Sequence, residues 1–391
     1  MNTESKSKLQ FVEGIRGFAA VIVVFQHLVL IFYPTLYYGD MSQAHYSAVL
    51  EQTIATTPLN VFYNGSFAVC LFFVLSGFVL SYKYFKTNDT KILIEYSVKR
   101  YFRLFFPVAF SILFVILMLT IFNPDFKSLE AHTKARDWLT GLFTDERSFG
   151  SVLYNLFVEV FFNGNNKYNP VLWTMGIEFL GSLMLFATLL LIHNIRKKEI
   201  VLIVIFIALI LSKNYFYSAF FAGALICKFY LQQSESLKPN YLINFLLITF
   251  GIYFGSYPTA WQYLENSVYA PLLWLKIDLM DFSRVLGAVL IICMITKSKF
   301  AQNLFSLAPF RFLGKISFSN YLIHFVILIT VSNLIFMHFI SGLGYNKAFL
   351  GTVLISLLIL FAFSWIFYKL VDQKSIALSD KITQKILEYL G

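Results

Sequence analysis

Long apolar stretches, separated by short polar or basic segments, run along almost the entire chain. A helix needs roughly 20 predominantly apolar residues to cross a bilayer. The pattern predicts ten such spans, near residues 12–33, 62–82, 102–123, 171–193, 199–212, 215–231, 241–257, 281–297, 316–340 and 347–371. The expected fold is therefore all-α, a polytopic transmembrane bundle of about ten helices.

Two stretches leave a choice open. The stretch 199–231 reads either as one bent helix, with Lys213 and Asn214 in its middle, or as two helices. Loop charge favours two helices, because merging them would move the last basic residues of the chain to the far side of the membrane. The stretch 150–162 is apolar but short, and we expect a re-entrant or interfacial segment there.

Composition supports a membrane protein. Hydrophobic residues make up 58% of the chain and charged residues 13%, whereas a soluble domain carries about 25% charged residues. The polar residues 1–10 and the apolar run from Phe11 lead to no small-residue cleavage site, so no signal peptide is expected. Three cysteines, Cys70, Cys227 and Cys293, lie in separate apolar stretches without metal-ligand spacing. We expect them to fill packing positions, and we expect no metal.

Charge predicts the orientation. A net charge of +10 would suggest nucleic acid in a soluble protein, but in a membrane the basic loops mark the cytoplasmic side. Ten spans place most of the 31 Lys and Arg residues there, including Lys6, Lys8 and Lys238, and the loop 34–60 on the other side has none. Both termini are thus predicted to be cytoplasmic.

The pattern indicates one transmembrane domain, 1–374, followed by a tail, 375–391. The tail is too polar to span, and its Ile residues fall near one helical face. Such a segment is expected to lie in the cytoplasmic interface as an amphipathic helix.

Ionisable residues inside predicted spans are costly and are candidates for function. The first span holds Glu13, Arg16 and His27. Arg16 and His27 are three helical turns apart on one face, ~16 Å along the axis, and Glu13 is an i, i+3 neighbour of Arg16. A topology-fixing charge and an interhelical hydrogen bond would also explain Arg16 and His27. Their shared face favours a site in which neutral His27 accepts a proton from a hydroxyl.

Three further groups of polar residues lie at the ends of other spans. Arg100 and Arg103, spaced i, i+3, suit phosphate recognition, although positive-inside charge also explains them. Glu178 lies ~10 Å from the predicted outer start of its helix near Pro170, and needs His27 or a water-filled cavity as a partner. His324 and Tyr321 share a face.

Several of these segments match, in order, motifs of a known family. VEGIRGFAAVIVVFQHL, from Val12, is similar to "LDGLRGIAAxxVxxxH", with Glu13 for Asp, and FFVLSGFVLS at 72–81, which contains Ser76, is similar to "FFVLSGFL". Arg100 and Arg103 match R-x-x-R. The chain resembles the acyltransferase-3 family of integral membrane O-acyltransferases.

The later motifs match with changes. LWTMGIEF, with Trp173 and Glu178, resembles "LWSLSVEEQF" but has Phe179 at the second acidic position. ISFSNYLIH, with Tyr321 and His324, resembles "ISYSLYLxH". YKLVDQKS resembles "YxxVEKP" with Asp372 for Glu and no Pro. The resemblance covers about residues 11–375.

The resemblance implies a membrane enzyme that acylates a hydroxyl of a surface polysaccharide or lipid-linked sugar. His27 would be the catalytic histidine, and Arg16, Arg100 and Arg103 would hold the donor, acetyl-CoA or another acyl-CoA. In our hypothesis Glu178 acts with His27 in catalysis by orienting it, a role that Glu13 could also fill. Supporting or acceptor-binding roles would fall to Glu13, Ser76, Trp173, Tyr321 and His324.

The hypothesis is that the donor enters from the cytoplasm and meets an acceptor hydroxyl near His27, which acts as general base or carries the acyl group. We expect acceptor selectivity in the loop 124–170. The main alternative is a transporter or flippase of a lipid-linked or acylated sugar, although the sequence has no inverted repeat or paired broken helices. A signalling protein without chemistry would leave the paired charges unexplained.

Overall fold

The structure is a computed structural model that describes residues 9–136, 138–143, 148–232, 240–274 and 279–390. These residues form helices and connecting segments without a strand, so the all-α prediction is confirmed. The predicted charges Lys6, Lys8 and Lys238 lie outside the described residues. Six described helices are long and apolar enough to cross a membrane, or seven when one bent pair counts as a span.

All ten predicted spans are helical, and shorter helices connect them. The α-helices are α1 Gln10–Phe32, α2 Pro34–Tyr38, α3 Ala48–Ala55, α4 Gly65–Thr87, α5 Lys91–Phe122, α6 Phe126–Thr133, α7 Phe149–Tyr154, α8 Trp173–Leu191, α9 Lys198–Leu211, α10 Tyr215–Gln232, α11 Tyr241–Gly255, α12 Ala270–Leu273, α13 Met280–Lys297, α14 Lys299–Phe305, α15 Ala308–Ile327, α16 Asn333–Leu343, α17 Tyr345–Phe367 and α18 Gln373–Leu390. Wider π-helical turns continue α7 over Asn155–Asn163, join α15 to α16 over Leu328–Ser332, and join α17 to α18 over Tyr368–Asp372.

The stretch 199–231 forms two helices. Helix α9 ends at Leu211 and α10 begins at Tyr215. Lys213 lies between them with φ +60°, a left-handed backbone conformation that interrupts a right-handed helix. The interpretation as two helices is therefore confirmed.

The short apolar segment near 150–162 is a helical stretch, Phe149–Asn163. It is shorter than the ~20 residues that a span requires. It packs against α5, where the Tyr101 hydroxyl donates to the carbonyl oxygen of Phe157 and the rings of Phe105 and Phe157 lie 4.8 Å apart. It lies before α8 in the chain and forms part of the surroundings of α5 and α8.

The first helix, α1, packs against α15 through glycines. A Cβ atom on Gly17 would overlap the backbone nitrogen of Gly314, and one on Gly314 would overlap the carbonyl oxygen of Glu13. Glycine is used where two backbones approach this closely. The contact fixes the two helices side by side, and both run from their glycines toward a histidine.

The remaining core helices pack around this pair. Helix α4 packs against α1, α10 and α13, and α8 packs against α4 and α5. The side chains of Cys70 and Cys227 are buried and free, and that of Cys293 is partly buried and free. This arrangement encloses the space bounded by α1, α4, α5, α8 and α15.

Helix α18, which contains most of the predicted interfacial tail, continues α17 and packs along α5. Its buried face carries Ser375, Ser379 and Thr383, and Asp380 forms an ion pair with Lys99 of α5. These small side chains allow close helix packing, and the hydroxyls of Ser375 and Ser379 donate to the carbonyl oxygens of Val371 and Ile376. The placement of this helix in an interface stays a prediction.

The glycine contact between α1 and α15 yields a stability prediction. Gly314→Ala places a methyl group against the carbonyl oxygen of Glu13. We expect the overpacking to lower the free energy of unfolding by about 1–3 kcal/mol and to lower the apparent melting temperature of the detergent-solubilised protein. Gly342→Ala is the matched control, because no atom lies within 4 Å of its Cβ position. Equal melting curves for the two variants would contradict this account of the helix contact.

Candidate active site

A cavity of about 180 Å³ lies within the bundle, between α1, α4, α5, α8 and α15. Its polar lining comprises Arg16, Ser76, Arg100, Arg103, Glu178 and Ser317. Its apolar lining comprises Val69, Phe72, Phe73, Leu104, Met175 and Phe318. Thr174 and Tyr321 complete the lining. The cavity thus joins most of the polar residues singled out by the sequence, from five helices that are far apart along the chain.

Glu178 is paired with Arg100 in the wall of the cavity. The two side chains form an ion pair, and the Ser76 hydroxyl donates to the same carboxylate oxygen over 2.7 Å. Arg100 also donates from Nε to Ser182 over 3.0 Å. The side chains of Glu178 and Arg100 are only 15% and 13% exposed, respectively. A buried pair is retained when additional hydrogen bonds satisfy both members, and here Ser76 and Ser182 supply them.

The sequence left two possible surroundings for Glu178, contact with His27 or a water-filled cavity, and the structure distinguishes between them. The carboxylate lines the cavity, as one alternative required, but its direct partners are Arg100 and Ser76 and not His27. Sequence depth alone placed Glu178 near His27, because α8 was expected to begin at a membrane surface. Asn169, just before α8, instead donates to the Leu322 carbonyl in the middle of α15, so α8 begins within the bundle.

Arg103 is held by an acid that sequence reasoning quoted but gave no role. Arg103 Nη1 lies 2.7 Å from Asp372 Oδ1, and the guanidinium stacks over Phe318 with its carbon 5.3 Å from the ring centre. Asp372 reaches Arg103 from the π-helical turn at the end of α17, and such turns recur at functional sites.

Arg16 is the cation of the cavity that has no partner. Among the described residues its side chain makes no hydrogen bond or ion pair. Glu13, expected as its i, i+3 neighbour, is exposed. The lining therefore carries three guanidinium groups, while carboxylates compensate only Arg100 and Arg103. The lining thus has an excess of positive charge that is not paired directly, and burial of such a charge is costly.

His27 pairs with His324. Nδ1 of His27 lies 3.1 Å from Nε2 of His324, and the ring centres are 4.9 Å apart. His324 is completely buried, whereas His27 is partly exposed. The glycine contact between α1 and α15 sets the register for this meeting, because both histidines lie about three turns beyond their glycines. The sequence identified both residues but did not pair them.

The hydrogen bonds of this pair assign its protons. Nδ1 of His324 lies 2.8 Å from the Tyr321 carbonyl oxygen, which only accepts, so Nδ1 carries the hydrogen. In the neutral ring Nε2 of His324 is then an acceptor for His27. His27 Nδ1 carries its own hydrogen by the same argument, since it also lies 3.0 Å from the Val23 carbonyl oxygen. The unprotonated nitrogen of His27 is therefore Nε2, the atom that can take up a proton.

Aromatic residues cover the His27 side of the pair. The Phe325 ring lies 5.2 Å from that of His27, and the Trp138 ring lies 5.9 Å from Phe325. Glu130 holds the segment after Trp138 by accepting hydrogen bonds from the backbone nitrogens of Leu139 and Thr140. Trp173, a predicted acceptor-binding residue, packs instead on Phe216. Trp138 and Thr174 were not identified from the sequence, because neither stands at an unusual spacing.

Comparison with known sequences agrees with this site. The acyltransferase-3 family model, described as an acyltransferase domain, matches residues 9–369. The chain belongs to this family and is an acyltransferase with membrane-spanning helices. The family resemblance inferred from the motifs is confirmed.

Curated relatives are similar over most of their length. "Acyltransferase R4" of Phoma sp. is 24% identical over 83% of each chain. "Acyltransferase clz18" of Cochliobolus lunatus is 23% identical over 88% of this chain and 87% of its own. "O-acetyltransferase PaAT-1" of Phomopsis amygdali is 23% identical over 96% of this chain and 85% of its own. No solved structure matches significantly.

The buried ion pair gives a second prediction. Glu178→Gln leaves Arg100 without its counter-charge, and breaking a buried pair costs about 3–5 kcal/mol. We expect a clearly lower melting temperature for this variant, and partial recovery when a polyanion such as CoA is added. Glu13→Gln, which changes an exposed carboxylate, is the control and should melt like wild type. A Glu178→Gln protein as stable as the control would show that the pair contributes nothing.

Proposed function

We propose that the protein transfers an acyl group, most simply acetyl, from acyl-CoA to a hydroxyl of a cell-surface or lipid-linked carbohydrate. The observation that carries the proposal is the cavity with three guanidinium groups, next to a histidine pair that leaves one basic nitrogen free. The first feature suits a phosphate-bearing donor and the second suits deprotonation of an acceptor. The relative named as an O-acetyltransferase supports acetyl as the first acyl group to test.

The donor's phosphates are assigned to Arg16, Arg100 and Arg103. Guanidinium groups bind phosphate through two parallel hydrogen bonds, and the partnerless Arg16 has all of its donors available. Glu178 orients Arg100, so it is a positioning residue. It would affect the reaction only by holding Arg100 where it binds the donor. Ser76 holds Glu178 in turn, and Glu13, exposed at the start of α1, is left as a supporting residue at the rim.

His27 is assigned as the general base. Its Nε2 takes the proton of the acceptor hydroxyl while the hydroxyl oxygen attacks the thioester carbonyl carbon. The carbon–sulfur bond then breaks, and His27 returns the proton to the leaving thiolate, which gives free CoA and an ester. His324 accepts from His27 Nδ1 and stabilises the imidazolium that forms in between, as the acid does in a hydrolase triad. Transfer through an acyl-histidine is the variant of this scheme to be distinguished kinetically.

The acceptor is assigned to the side of His27 covered by Phe325 and Trp138. Trp138 belongs to the loop 124–170, in which sequence reasoning expected acceptor selectivity, and aromatic rings commonly stack on the apolar faces of sugars. The donor would enter from the cytoplasm, because Arg16, at one end of the cavity, lies ~16 Å from His27 toward the predicted cytoplasmic start of α1. The protein would reside in the cell membrane with both termini in the cytoplasm.

The histidine assignments predict a graded loss of activity. In a purified system that measures acceptor-dependent release of free CoA, we expect His27→Ala to abolish turnover. His324→Gln should lower kcat about 10²–10⁴-fold, the usual contribution of acid–base groups, with little change in the KM for acyl-CoA. His338→Ala, on α16, is the control and should retain wild-type rates. Full activity of His27→Ala would contradict the mechanism.

The acceptor class is tested in the host. A deletion strain should lose an ester from its surface glycans, read by NMR or mass spectrometry. Wild type should restore the ester, whereas His27→Ala and Arg103→Ala should not, provided that each variant reaches the membrane in equal amount. Glycans unchanged by the deletion would exclude a surface carbohydrate as acceptor, even if the purified enzyme releases CoA.

A further inference from the structure

Tyr321 lies between the cavity and the histidine pair. It lines the cavity, yet it is only 7% exposed, and its ring centre is 5.9 Å from that of His324 one helical turn further along α15. Neither His27 nor His324 is among the side chains that line the cavity. A donor held by the arginines therefore reaches Tyr321 before it reaches His27.

The Tyr321 hydroxyl belongs to a hydrogen-bonded group with a spare donor. It lies 3.0 Å from the carbonyl oxygen of Val171 and 2.8 Å from the hydroxyl of Thr174. The Thr174 hydroxyl is itself 3.2 Å from the same carbonyl oxygen. Two hydroxyl hydrogens are thus available for one carbonyl. If Tyr321 turns its hydrogen elsewhere, Thr174 keeps Val171 satisfied, so the buried carbonyl is not left unpaired.

The other hydroxyls of the cavity are already committed. Ser76 donates to Glu178, and Ser317 donates to the Gly314 carbonyl within its own helix. The first bond supports the pair of Glu178 with Arg100, and the second lies within α15. Tyr321 is therefore the cavity hydroxyl that combines a releasable hydrogen with a position next to the histidine pair.

We infer that Tyr321 donates a hydrogen bond to the thioester carbonyl oxygen of the donor and stabilises the negative charge that develops there during acyl transfer. This inference rests on the proposed function. The Tyr321 proton is not transferred: the acceptor oxygen bonds to the carbonyl carbon, charge collects on the carbonyl oxygen, and the carbon–sulfur bond breaks as His27 protonates the thiolate. Thr174 is a positioning residue, since it replaces Tyr321 at Val171 during the reaction.

The test is a double-mutant cycle on the full-length enzyme, with acetyl-CoA as donor and the acceptor that wild type uses. Tyr321→Phe keeps the ring and should lower kcat about 10²–10³-fold, the usual loss for one such donor, while the dissociation constant for CoA stays within about twofold. Thr174→Val should lower kcat about tenfold, because the tyrosine then leaves Val171 unpaired when it turns to the substrate.

The combined variant separates a catalytic role from a structural one. In the Tyr321→Phe background there is no tyrosine hydroxyl that moves from Val171 to the substrate, so Thr174 has nothing to replace. Adding Thr174→Val should then leave kcat unchanged even if it lowers the melting temperature further. Independent, multiplicative losses in kcat would overturn the inference, as would a Tyr321→Phe enzyme within about threefold of wild type. Absence of CoA release by wild type with every acceptor would instead overturn the proposed function itself.

Discussion

The close contact between α1 and α15 is the constraint on which the site depends. Gly17 and Gly314 let the two backbones touch, and from that contact onward the positions of His27 and His324 are determined by helix geometry alone. Neither histidine could be shifted by a fraction of a turn without losing the 3.1 Å contact between their nitrogens. A Cβ atom at Gly17 or Gly314 would overlap the facing backbone, so a side chain at either glycine would force the two helices apart at this contact.

The cavity solves a second physical problem, the burial of several cations in an apolar bundle. Isolated charges in such surroundings are very costly. Glu178 and Asp372 offset two of the three guanidinium groups, and serine hydroxyls complete the pairing of Arg100 and Glu178. The compensation is incomplete by one charge, and the proposed binding of an anionic donor rests on that excess.

Much of this could be predicted from the sequence. Apolar run lengths gave the helices, and the ionisable residues within them gave His27, Arg16, Arg100, Arg103, Glu178 and His324, because both signals are local. Pairing is not local. The sequence could not show that Glu178 faces Arg100 and not His27, since that depends on α8 beginning inside the bundle, next to Leu322. The sequence assigned no role to Asp372 either. This residue lies in a π-helical turn, which shifts the helical register, so the regular α-helical spacing does not predict which residues it faces.

The pairing of Arg103 with Asp372 also bears on how tightly the cavity can hold what it binds. Under the proposed function, an anion that reaches Arg103 would share the guanidinium with the carboxylate of Asp372, which is already paired with it. Part of the charge of Arg103 is then offset before the anion binds, so the affinity would be lower than three unpaired arginines would give. Such a cavity would release a spent ligand more easily than three unpaired guanidinium groups would, because Asp372 already lies beside Arg103.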